Sequence, residues 1–210
     1  MEACKKILIT GLESLDLPLD KDKIEQLMCF IKLLEKWNKA YNLTSIRNTE
    51  DMVRLHLLDS LAIIPFIEGK HVIDIGTGAG LPGIPLAIYL PSIDFTLLDS
   101  NAKKTRFVQQ VILELKLKNV SVCHNRVERY LPEVSFNTVI TRAFASLSDI
   151  VKLTGHLLSK NGIILAMKGQ PPDEQYINFA KTTLIPINVP GIPANRCLVK
   201  MQLTEESEVS

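Results

Sequence analysis

The run Asp74-Ile-Gly-Thr-Gly-Ala-Gly-Leu-Pro-Gly83 sits directly behind a short apolar stretch and is answered downstream by Leu97-Leu-Asp99. No other segment restricts the possible folds of this chain as strongly. His71-Val-Ile-Asp-Ile75 reads as a buried strand, the glycines permit a tight turn with close backbone approach, and Leu86-Ala-Ile-Tyr-Leu90 continues as a helix. A strand, a glycine turn and a helix in that order present free amides to a ligand, so a nucleotide-like cofactor site is expected there. Gly78-Ala-Gly80-Leu-Pro-Gly83 also satisfies G-x-G-x-x-G, and the glycines alone do not separate NAD from S-adenosylmethionine. Asp74 favours the latter. Its charge at the strand's carboxyl end would face the cationic amino group of a methionine moiety and repel an anionic pyrophosphate. Asp99 ends the next apolar strand, Phe95-Thr-Leu-Leu-Asp99, where an acid accepts both ribose hydroxyls of either cofactor. Both acids have plainer readings too: Asp74 as a cap for the turn, Asp99 as a cap for the helix beginning near Asn101.

From Val72 onward, short apolar runs alternate with amphipathic stretches, which predicts an α/β, doubly wound sheet. Strands are expected near 71–75, 94–99, 119–124, 137–141 and 162–167. Phe107, Val108, Val111, Ile112 and Leu115 make one helix face; Leu147, Ile150, Val151, Thr154 and Leu158 make another. The runs Leu184 to Val189 and Cys197 to Leu203 have no long helix between them, so they pair as an antiparallel hairpin through Pro190-Gly-Ile-Pro193 at one sheet edge. The expected architecture is a Rossmann-like, seven-stranded, mostly parallel sheet with a terminal antiparallel hairpin. That is the class I S-adenosylmethionine-dependent methyltransferase form of the sheet rather than the dehydrogenase form. Ahead of it, Ile24, Leu27, Met28, Ile31 and Leu34 recur at helical spacing, and Asn48-Thr-Glu-Asp51 offers capping groups for a helix running towards Pro65. The expected organisation is an N-terminal helical cap over 1–66, the Rossmann-like domain over 67–204 and a flexible tail over 205–210.

A chain of 210 residues with 46% hydrophobic and 22% charged residues suffices for one substantial core with an appendage. A net charge of +1 provides no global basic field, so a nucleic-acid partner must be held by a local patch. Cys4, Cys29, Cys123 and Cys197 are widely spaced without a C-x-x-C, which argues against a zinc site or a disulfide framework, and no metal is expected. No apolar run approaches the roughly 18 residues of a membrane span. A soluble, cytoplasmic monomer is expected.

Several further motifs converge on one family. Lys36-Trp-Asn-Lys-Ala-Tyr-Asn-Leu-Thr-Ser45, His56-Leu-Leu-Asp-Ser60, the glycine run through Pro85, Arg126-Val-Glu128, Thr141-Arg-Ala-Phe-Ala145 and Met167-Lys-Gly169 together resemble the bacterial ribosomal RNA small subunit methyltransferase G family, also called glucose-inhibited division protein B. The resemblance covers nearly the whole length. It implies methyl transfer from S-adenosylmethionine to N7 of guanine 527 in the 530 loop of 16S ribosomal RNA. It also implies cofactor contacts at Gly76 and Leu81, at Val127 and Glu128, and at Arg142, with Asp99 on the ribose. The acidic ending Thr204-Glu-Glu-Ser-Glu-Val-Ser210 departs from the basic tails common in that family.

Guanine N7 carries a lone pair and no proton, so the reaction needs proximity and orientation rather than a general base. The chain accordingly lacks a dedicated nucleophile such as a Pro-Cys pair. After the fourth strand it has Thr141-Arg-Ala-Phe144 in place of the Asn- or Asp-Pro-Pro-aromatic segment of amino-methylating enzymes. Arg142 is the candidate positioning group, able to reach guanine O6, cofactor or phosphate, with a surface ion pair as its plainer reading. Phe144 is either a base-stacking or a core residue. Arg126, Lys168 and Arg196 are the candidate RNA contacts, expected at the carboxyl ends of strands or at the hairpin, on the cofactor side. His56 is expected to be satisfied by a neighbour. Two alternatives stand beside this reading: a non-catalytic module that binds ribosomal RNA during assembly, and an NAD-dependent oxidoreductase.

Overall fold

The computed structural model describes residues 1–142, 146–171 and 180–203. Two helices open the chain, α1 (Glu2–Ser14) and α2 (Lys21–Tyr41). Asp20 caps α2 by accepting from the amides of Asp22 and Lys23, and Asn42 ends it in the left-handed conformation that asparagine tolerates. Ile24, Leu27, Met28, Ile31 and Leu34, the stripe read from the sequence, are all buried.

Asn48 caps the next helix by accepting from Glu50 and Asp51, as its sequence suggests. The run towards Pro65 is helical but not uniform: α3 (Thr49–Met52) passes into a π-helical segment (Val53–Leu58), then α4 (Asp59–Leu61) and a 3₁₀ turn (Ile64–Phe66). In the widened turn the amide of Asp59 donates to the carbonyl of Arg54, five residues back. Such an inserted residue rotates everything that follows about the helix axis, and π turns concentrate at functional sites.

The sheet order is β3-β2-β1-β4-β5-β7-β6, with β1 (His71–Ile75), β2 (Asp94–Asp99), β3 (Val120–His124), β4 (Phe136–Arg142), β5 (Leu158–Lys168), β6 (Ala180–Ile187) and β7 (Arg196–Leu203). The first five strands run parallel; β7 is antiparallel to both β5 and β6. The hairpin is therefore at the sheet edge, with β7 inserted against β5 and β6 outermost. Pro186 lies within β6, where an edge strand tolerates the lost N–H. Two boundaries differ from the sequence reading. β6 starts at Ala180 rather than near 184, because Lys181, Thr182 and Thr183 find partners in Gln202, Met201 and Lys200. β5 begins at Leu158, so that residue joins the sheet instead of the preceding helix face.

Helices α5 (Gly83–Tyr89) and α6 (Ala102–Leu115) cover one face of the sheet, together with α1 and α2. That face has a single core: Leu8, Leu27, Phe30, Leu34 and Leu57 pack in the same cluster as Ile84, Leu97, Phe107 and Ile140. The other face is covered by α7 (Leu147–Thr154), capped by Ser146, with Ile150 and Val151 against Ile73, Val139 and Ile164. No helix among the described residues is long and apolar enough to cross a membrane. The expected tail 205–210 and Phe144 lie outside the described residues.

Candidate active site

The glycine turn is built from beneath by Asp74. Its carboxylate is fully buried, and Oδ2 accepts from Thr77 Oγ1 at 2.7 Å and from the Gly83 amide at 2.9 Å. One side chain thus ties the end of β1 to the middle of the turn and to the first residue of α5. Burial pushes the Asp74 carboxyl up to about 6, against the pull of those two hydrogen bonds and the Arg142 charge. By sequence Asp74 is either a charge facing the ligand or a cap for the turn; in the structure one of its oxygens caps the turn. Its other oxygen, Oδ1, is buried without a partner among the described residues.

Two glycines show why other residues are excluded. Gly78 has φ of +59°, the left-handed region that other residues rarely adopt. A Cβ on Gly83 would come within 2.1 Å of Leu97 Cδ2 and 2.9 Å of Asp74 Oδ2, so the helix start approaches β2 only without a side chain.

Asp99 ends β2 and shapes the cofactor cleft. Its Oδ2 accepts from the Gly78 amide and its Oδ1 from the Asn101 amide, each at 2.8 Å. The second carboxylate thus holds the turn from above, while Asn101, not Asp99, caps α6 by accepting from Lys103 and Lys104. Beside Asp99 lies a cleft of about 290 Å³ lined by Ile75, Gly76, Leu98, Ser100, Asn125, Arg126, Val127 and Glu128. Val127 is buried while Glu128 is exposed, which gives an apolar wall with an acidic rim. Leu81 is buried, with its amide donating to the Thr77 carbonyl, and does not line this cleft.

A second cavity, of about 230 Å³, opens at the ends of β4, β5 and β7, lined by Asp59, Ile63, Arg142, Met167, Lys168, Gly169, Ile187, Arg196 and Cys197. Arg142 leaves the carboxyl end of β4 and donates through Nη2 to the Leu55 carbonyl at 2.9 Å, with Asp59 Oδ2 at 3.4 Å. Arg196, at the start of β7, donates through Nε to Asp59 Oδ1 at 3.2 Å. The structure therefore brings Arg142, Lys168 and Arg196 to one pocket and puts Arg126 in the other. Arg142 makes an ion pair, as the plainer reading allowed, but a partly buried one reaching into the cap. His56 accepts or donates through Nε2 with Thr44 Oγ1 at 3.0 Å, so it is satisfied by a neighbour as expected; burial, and then the Arg142 charge, hold it down at about 4.

Sequence reasoning missed Asp59 and the Leu55 carbonyl. Asp59 stood in a recognisable motif, but its partner Arg196 is 137 positions away and nothing local signals the contact.

The parallel strands, the inserted antiparallel β7, the glycine turn and the acid at the end of β2 define the class I S-adenosylmethionine-dependent methyltransferase architecture. Solved structures with this fold include an S-adenosylmethionine-dependent methyltransferase from Aquifex aeolicus (TM-score 0.54, 14% identity, 73% of this chain and 93% of that one) and TrmN from Thermus thermophilus (TM-score 0.56, 16% identity, 69% and 48%). The family model for rRNA small subunit methyltransferase G matches residues 23–193. Curated relatives named ribosomal RNA small subunit methyltransferase G include one from Legionella pneumophila, 51% identical over 86% of this chain and 87% of its own length. Another, from Nitrosococcus oceani, is 47% identical over 94% of both chains, and one from Pseudomonas syringae is 48% identical over the same shares. The chain belongs to the ribosomal RNA small subunit methyltransferase G family. An NAD-dependent oxidoreductase is thereby set aside.

Proposed function

We propose that this protein transfers a methyl group from S-adenosylmethionine to N7 of guanine 527 of 16S ribosomal RNA, acting in the cytoplasm as a monomer on the small subunit or an assembly precursor. The supporting observation is the pairing of two cavities along the carboxyl ends of one sheet: an acid-rimmed cleft at Asp99 and a cation-lined pocket at Arg142, Lys168 and Arg196. The residues present fit the donor. Asp99 keeps a further lone pair on each oxygen for the ribose hydroxyls. Val127 and Glu128 flank the space for an adenine, Gly76 and Gly78 bring backbone close, and the unpartnered Asp74 Oδ1 suits a cationic amino group. Leu81, with its amide on the Thr77 carbonyl, holds the turn that presents these groups and is kept as a cofactor contact.

When bound, S-adenosylmethionine would supply an electrophilic methyl group to the guanine N7 lone pair, the methyl–sulfur bond breaking as the neutral thioether leaves. No proton leaves that atom, so the chain needs no base. His56 is consistent with this, being occupied by Thr44 and the backbone. The work of Arg142 is to orient the acceptor, and Arg126, Lys168 and Arg196 hold RNA phosphates around it. A looped-out guanine enters between the two cavities.

The test incubates radiolabelled S-adenosylmethionine with unmethylated small subunits and with naked 16S RNA, then maps the labelled base. Label on N7 of that guanine is expected. Label on another atom or nucleotide would refute the acceptor assignment, and no label on either substrate would leave an assembly-binding role.

A further inference from the structure

Among the described residues Asp59 is the one carboxylate that lines the cation-lined pocket, and its geometry is unlike that of a surface counter-ion. Asp59 is only 4% exposed, yet it reaches the pocket from the helical cap rather than from the sheet. Its two oxygens take different arginines: Oδ2 faces Arg142 at 3.4 Å and Oδ1 accepts from Arg196 Nε at 3.2 Å. In the sheet, β4 and β7 are the two neighbours of β5. The carboxylate therefore bridges across the end of β5, where Lys168 and Gly169 line the same cavity.

Resting on the function proposed above, we infer that Asp59 is a positioning residue for methyl transfer, acting through Arg142 and Arg196. It does so in two ways. It fixes the two guanidinium planes relative to each other, which a pair of unpaired arginines on separate strands would not maintain. It also sets the charge. Methylation of N7 moves the positive charge of the donor onto the guanine ring, and the guanidinium charges of Arg142 and Arg196 beside that ring would oppose the transfer. One buried carboxylate shared between them reduces that opposition where the charge develops. Arg142 has a second anchor in the Leu55 carbonyl at 2.9 Å, and Arg196 has a longer one, at 3.4 Å, in the carbonyl of its neighbour Asn195.

The prediction separates turnover from binding. In Asp59→Asn the shape is kept and the charge lost, so kcat on unmethylated small subunits is expected to fall by about tenfold to a hundredfold. The Kd for S-adenosylmethionine, whose cleft Asp59 does not line, stays within about twofold. RNA binding does not weaken, because both arginines keep their charge and Arg196 remains a phosphate contact. In an Arg196→Gln background the same change costs less than in wild type, because one of its partners is gone. Should Asp59→Asn fail to fold, Arg196→Lys keeps the charge but not the fork, and a kcat loss of about fivefold with unchanged RNA KM is expected. A folded Asp59→Asn protein with wild-type kcat, or one whose loss lies wholly in RNA KM, overturns the proposal, as does a wild-type kcat in Arg196→Lys where the Asn variant does not fold. An inactive wild type would instead remove the methyltransferase reading on which it rests.

Discussion

At Asp99 both carboxylate oxygens already accept a backbone amide, from Gly78 and from Asn101, and both retain a lone pair towards the cleft. Truncation loses the ribose acceptor and the clamp on the turn together. Asp99→Ala is expected to weaken S-adenosylmethionine binding by about a hundredfold, near 2.7 kcal/mol, by calorimetric titration. Arg142→Ala should lower turnover on small subunits by about tenfold or more and also lower the midpoint of urea unfolding, because it takes a partner from the buried Asp59 carboxylate and from the Leu55 carbonyl. Wild-type turnover in a folded Arg142→Ala protein, or unchanged cofactor affinity in Asp99→Ala, would contradict these roles. His56 and Asp74 give opposite pH dependences. His56 is held near 4 in the fold against 6.5 when free, so the unfolded chain binds more protons between those values and stability falls as pH drops through them. Asp74 is raised to about 6 from 3.8, so the folded chain binds more protons in that window and stability rises as pH drops. Each pKa unit amounts to about 1.4 kcal/mol, and the two effects largely cancel. Asp74→Asn removes one of them. Its urea midpoint should therefore decline more steeply than the wild type's between pH 6.5 and 4.

Among the elements, the junction of the glycine turn with α5 carries the tightest packing at the site. A methyl group at Gly83 meets Leu97 and the Asp74 carboxylate at distances that cannot be kept. Gly83→Ala should cost about 1–3 kcal/mol in denaturant unfolding and weaken cofactor binding with it, since the same shift displaces the turn. The strand, turn and helix here were legible because each has a local cause: an apolar run, glycines with positive φ, and a helix start. The π segment was not. Capping residues at Asn48 and a proline at Pro65 announce a helix between them, but no residue within Val53–Leu58 announces the widened turn. That turn is settled by packing against α1 and by the Arg142 guanidinium on the Leu55 carbonyl. The start of β6 was missed for a similar reason, since Lys181 to Thr183 are strand only by virtue of their partners on β7.

Across the whole molecule the helical cap is not an independent lid. Leu27, Phe30 and Leu34 of α2 share one core with Ile84, Leu97 and Phe107 beneath. Leu34→Ala should therefore cost about 2–5 kcal/mol and shift a single unfolding transition, monitored alike by far-ultraviolet dichroism and by Trp37 fluorescence. Two separate transitions would show that the cap folds alone. The shared core also fixes where the cap presents Asp59 and Leu55 to the sheet, so cap mutations far from either cavity should reduce turnover.

The class of fold, the cofactor turn and its two acids were determined by the sequence itself, because alternating apolar runs, glycine spacing and strand-end acids act over a few residues. Arg142, Lys168 and Arg196 could be named from sequence as cations near strand ends. Their convergence on one pocket, the assignment of Arg126 to the other, the half-structural role of Asp74 and the bridge made by Asp59 were decided only by tertiary structure. The reason is distance along the chain: a buried carboxylate that pairs with an arginine 137 positions away leaves no periodic or local trace. Only the sheet order, which brings β4 and β7 to either side of β5 beneath the cap, puts those charges together.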